Sequence, residues 1–79
     1  HGLSELEAGR LDQAQRFFKM AWESERDPAA LNNMGVVFLR RGDRPNAVAH
    51  FQLAARYGVA EATANLRRLG EPVPNPDLA

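Results

Sequence analysis

The chain has 79 residues, ten basic and ten acidic side chains, a formal net charge of zero, 44% hydrophobic residues and no cysteine. That length allows one domain, near the lower limit at which a core alone holds a fold, and the composition is that of a globular chain rather than a disordered one. The charge balance excludes a general attraction to nucleic acid or to an anionic membrane, and the missing cysteines exclude disulfides, thiolate metal sites and cysteine nucleophiles.

No apolar run approaches the roughly 20 residues that span a bilayer. The chain opens on His1-Gly2, with no basic stretch leading into an apolar one as in a secretory signal. A start without methionine is expected of a chain cut from something longer or carrying a tag remnant, which leaves a removed signal peptide or an upstream domain open. The compartment is accordingly left unassigned: a soluble protein, cytoplasmic or, after removal of a signal, periplasmic.

In chain order, helices are predicted over 2–8, 11–25, 28–41, 44–57 and 60–69. Ala14, Phe18 and Ala21 fall at i, i+4 and i+7, one stripe of the second helix. Asp27-Pro28 starts the third, with aspartate as N-cap and proline at the first helical position. Leu31, Met34, Gly35 and Phe38 form its stripe, with Gly35 where two backbones come nearest. Gly42 is placed to end that helix in a left-handed conformation. Asp43 can then cap the fourth, whose first turn tolerates Pro45. Ala47, Phe51 and Ala54 repeat the small–aromatic–small stripe. The fifth helix runs to Gly70, and Pro72, Pro74 and Pro76 keep residues 71–79 from continuing it, so that tail is expected to be extended and mobile.

Two of these stretches are copies. Gly9, Ala14, Phe18 and Ala21 match Gly42, Ala47, Phe51 and Ala54 without gaps at a spacing of 33 residues (42 − 9, 54 − 21), and Gly2 matches Gly35 at the same spacing. Five such coincidences in register mark an internal repeat.

With Leu31, Asn33-Met34-Gly35, Phe38, Gly42-Asp43, Ala47, Phe51 and Ala54 in this spacing, the chain resembles the tetratricopeptide repeat family. The first unit keeps Gly2, Gly9, Leu11, Ala14, Phe18 and Ala21, with Glu5 where the family usually has an aromatic. Residues 54–62 are also similar to Sel1-like repeats, a close relative. The resemblance implies an all-α fold, a tetratricopeptide-like α-α superhelix of about two helix hairpins plus a C-terminal capping helix. Residues 1–70 would be one repeat domain, with units of about 2–27 and 28–59 and a capping helix at 60–69, followed by the proline-rich tail.

The same resemblance implies a concave groove that holds a peptide or partner helix. Carried over position by position, it assigns partner binding to Asn32, Asn33, Val36, Leu39 and Arg40, with Asn65 and Arg68, and beside them Glu61, from the capping helix. Asparagines offer donors and acceptors to a peptide backbone, and arginine offers a fork to a carboxylate. Asn33 and Asn65 could equally bridge neighbouring helices. The first unit lacks most of its opening helix, so Phe18, Ala21 and Trp22 are expected to lack cover and to support self-association, including a homodimer, unless Trp22 folds back onto Leu3 and Leu6.

Catalytic chemistry is not found. His50 and His1 have no metal-ligand spacing around them, and His50 is read as structural. Ser4, Ser24, Thr63 and Tyr57 have no histidine at motif spacing, and no glycine-rich phosphate loop occurs. No metal, cofactor or catalytic residue is assigned, and the chain is read as a non-enzyme: an interaction module or assembly scaffold. Two alternatives stand beside it. One is a structural fragment of a longer solenoid. The other is a helical nucleic-acid-binding domain using Arg40, Arg41, Arg44, Arg67 and Arg68, although Asp43 and Glu71 sit among these and no exposed aromatic interleaves them.

Overall fold

The computed structural model describes residues 5–76, and the matches at Gly2 and the residues His1, Leu3, Ser4 and Leu78 lie outside them. The protein is all-α. Among the described residues four helices follow one another: α1 (Glu5–Glu25), α2 (Pro28–Arg40), α3 (Arg44–Arg56) and α4 (Ala60–Leu69).

Local chemistry accounts for most of the boundaries. Asp27 accepts a hydrogen bond from the Ala29 amide at 3.1 Å, and Pro28 opens α2 behind it. Asp43 does the same for α3, accepting from the Asn46 amide at 3.3 Å and from its side-chain amide at 2.6 Å. At the other ends, Gly42 and Gly70 take left-handed φ values of 80° and 72°. There the amides of Asp43 and Glu71 reach back to the carbonyls of Phe38 and Leu66, both at 2.9 Å, in the pattern of a Schellman turn.

The start of the chain corrects the sequence reading. No break separates helices 2–8 and 11–25 among the described residues, because α1 runs unbroken through Gly9. The aligned segments explain why. Gly42 is followed by the capping Asp43 and by Pro45, whereas Gly9 is followed by Arg10 and, at the position of Pro45, by Asp12. A helix-interior glycine costs about 1 kcal/mol relative to alanine, which good helix formers on either side can absorb, and no cap or proline offers the chain another path. Gly9 is exposed, and a Cβ built there meets nothing within 4 Å.

The core lies among α2, α3 and α4, where Leu31, Met34, Ala47, Phe51, Ala54, Ala55, Ala62 and Leu66 form one buried cluster. Gly35 lies against the Phe51 ring: a Cβ at that position would come within 2.5 Å of it. α1 packs on α2, α2 on α3, and α3 on α4. Phe18 and Trp22 of α1 reach the edge of the core. Trp22 meets Tyr57 edge-on at 5.3 Å, and the Arg26 guanidinium stacks over its ring at 5.2 Å. Arg26 ends α1 with φ 51°, the only described non-glycine residue with positive φ.

The tail also departs from expectation. Rather than standing free, residues 71–74 lie against α3. The Arg44 guanidinium donates to the Leu69 carbonyl at 2.7 Å and to the Glu71 carboxylate at 3.0 Å, and Gln52 Nε2 donates to the Pro72 carbonyl at 3.3 Å. Proline forbids helix here but leaves the carbonyls free to accept, so an extended strand can be tied down by side chains of a neighbouring helix.

Candidate interaction surfaces

α2 and α4 both pack on α3, and a single side-chain bond joins them across it. Asn65 Nδ2 donates to Asn32 Oδ1 at 2.9 Å. The two residues are 33 positions apart, the spacing of the sequence repeat. Asn32 is buried, so the bond satisfies a polar group that would otherwise be costly to desolvate.

That bond orients the residues around it. On α2, Asn32, Val36 and Leu39 fall at i, i+4 and i+7, so they share the side turned towards α4. On α4, Glu61, Asn65 and Arg68 share the side turned towards α2 by the same spacing. Val36 is half-buried against the core, Leu39 is 39% exposed, and Arg40 and Arg68 are exposed. Asn33 is half-buried on the adjoining strip of α2, one helical face with Arg40. Asn32 therefore forms the floor, with its carbonyl already occupied, while Val36 and Leu39 supply an apolar strip and Arg40 and Arg68 a positive rim.

No family model, curated protein or solved structure matches the chain.

A second surface lies on the outer face of α1. The self-association residues expected from sequence are partly covered: Phe18, Ala21 and Trp22 are half-buried, with Phe18 and Trp22 against the core. Tyr57 and Arg26 cover part of Trp22, which the sequence reading expected to lack cover. The exposed apolar side chains are instead Leu6, Phe17 and Met20, at 69%, 68% and 66%. A signal for this was present. Adjacent aromatics on a helix point about 100° apart, so Phe17-Phe18 cannot both face inward, and the core claims Phe18.

The arginine cluster is partly spent within the protein. Arg41 pairs with Asp12 of α1, and Arg44 with Glu71 and the end of α4. Arg40, Arg67 and Arg68 remain exposed. A shallow depression of about 450 Å3 lies elsewhere, between α3 and the tail, lined by Ala49, Gln52, Leu53, Arg56 and Pro72–Pro74. It is an open crease left where the tail segment crosses the helix.

His50, Ser24 and Tyr57 have partners within the fold, Tyr57 through the Trp22 ring. His50 Nδ1 lies 2.8 Å from the Asn46 carbonyl and its ring is tilted against Phe38 at 4.8 Å. Ser24 donates to the Met20 carbonyl one turn back at 2.6 Å. Among the described residues no group of three or more His, Cys, Asp or Glu side chains is arranged to hold a metal, and no helix is long and apolar enough to cross a membrane.

Proposed function

We propose that this chain is a non-catalytic, tetratricopeptide-like interaction module that binds a peptide or partner helix across α2 and α4. The Asn32–Asn65 bond is the main support. It ties residues one repeat apart on two helices, and helical spacing sets Val36, Leu39 and Arg40 on the Asn32 side of α2 and Arg68 on the Asn65 side of α4. An apolar strip rimmed by two arginines matches a ligand with an aliphatic side chain flanked by carboxylates, since charge complementarity gives such a site its specificity and apolar burial much of its affinity. Asn33 and Asn65 stand beside the strip with amide groups suited to a peptide backbone.

Nucleic-acid binding through the arginine cluster is less well supported, because Arg41 and Arg44 already serve carboxylates of the same chain.

Selection from a displayed library of random 12-residue peptides tests the proposal. The expected winners carry leucine-like residues near Glu or Asp, and lose at least tenfold in affinity for the Arg40→Glu/Arg68→Glu variant while binding Phe17→Glu normally. Peptides that bind the double variant as well as the native chain would sink the α2–α4 assignment.

A further inference from the structure

The outer face of α1 has no part in the proposed peptide site. Leu6, Gln13, Phe17 and Met20 are spaced by seven, four and three residues, which aligns them along one face of the helix. Leu6 and Met20 stand about 21 Å apart along the axis at 1.5 Å per residue. Between the apolar ends lie Gly9, Arg10 and Gln13, all exposed, and Ala14 and Ala21 border the stripe half-buried.

We propose that this face pairs with the same face of a second copy, in an antiparallel dimer with its two-fold axis near residues 11–13. The layout is self-complementary only in that direction. Turned antiparallel, Leu6 of each copy meets Phe17 and Met20 of the other, and Arg10 meets the neutral, acceptor-bearing Gln13. Turned parallel, Arg10 would meet Arg10, and the helix dipoles would align rather than oppose. Gly9 and Ala14, which lie between Leu6 and Phe17, let the two backbones approach closely.

The area is sufficient for a specific but weak contact. With 69%, 68% and 66% of their surfaces exposed, Leu6, Phe17 and Met20 present about 400 Å2 per copy. Pairing removes about twice that, and the flanking residues bring it to roughly 1,000–1,200 Å2, the lower edge of specific interfaces.

Sedimentation equilibrium tests the inference, over concentrations reaching roughly 1 mM as suits an interface of this size. The native chain should pass from 8.8 kDa to twice that mass as concentration rises. Leu6→Lys and Phe17→Glu chains should each remain monomeric with unchanged helical circular dichroism, since both side chains are exposed. Mixed in equal amounts, they should form a heterodimer, because the antiparallel pairing sets the introduced lysine against the introduced glutamate and keeps one Leu6–Phe17 contact. A native chain monomeric throughout, or a dimer that survives Phe17→Glu, would overturn the interface. A mixture that stays monomeric would overturn its antiparallel direction.

Discussion

Gly9 and Gly35 show how one residue type serves two opposite roles in a single helical chain. At Gly35 the missing side chain is a packing requirement, because the Phe51 ring, itself fully buried, occupies the space a Cβ would need. At Gly9 nothing of the same chain is packed, and within the monomer the glycine weakens the helix. Opposite outcomes are expected for the same substitution. Gly35→Ala should destabilise the protein by about 1–3 kcal/mol through overpacking, despite the better helix propensity of alanine. Gly9→Ala should stabilise it by up to about 1 kcal/mol. Urea denaturation of the two variants beside the native chain, at concentrations low enough to hold all three monomeric, reads both. A Gly35→Ala chain as stable as the native one would mean that α2 and α3 are not in the contact described.

At the level of elements, the helix boundaries that rest on local chemistry were legible beforehand. Asp27-Pro28, Gly42-Asp43 and Gly70 each carry their cap or stop within a few residues, and α2 and α3 begin, and α4 ends, where those signals put them. The two failures have different causes. Gly9 matches Gly42 in the alignment, but a turn needs the cap after the glycine as well as the glycine, and Arg10 supplies none. The tail's position depends on Arg44, 27 residues away from Glu71, which no local pattern can show. Because Arg44 also binds the last carbonyl of α4, the tail acts as a strap across α3 and the end of α4. Truncation after Gly70 should therefore cost about 1 kcal/mol, a fall of about 4–8 °C in melting midpoint for a domain this small. Thermal melting followed by circular dichroism checks it, and an unchanged midpoint would show that the strap contributes nothing.

For the whole molecule, the two proposed surfaces divide the labour, with α2 and α4 given to a peptide and α1 to a second copy. For the first proposed surface, the sequence reading assigns residues without distinguishing which of them are buried. Asn32 reads as a contact in the sequence and lies on the floor in the fold, because its partner, Asn65, comes from a helix 33 residues on. For the second proposed surface, the sequence reading takes Phe18, Ala21 and Trp22 and the proposed face takes Leu6, Phe17 and Met20, because the side of α1 that meets the core is set by its packing on α2. The claim that α2 and α4 form the binding surface is tested most directly by titrating the 15N-labelled protein, held dilute, with the tightest peptide from the library selection while recording amide shifts by nuclear magnetic resonance. The largest changes are expected at Asn33, Val36, Leu39, Arg40 and Arg68 and at the Asn65 side-chain amide, with α1 undisturbed. Shifts centred instead on Leu6, Phe17 and Met20, or on α3 and the strap, would contradict it.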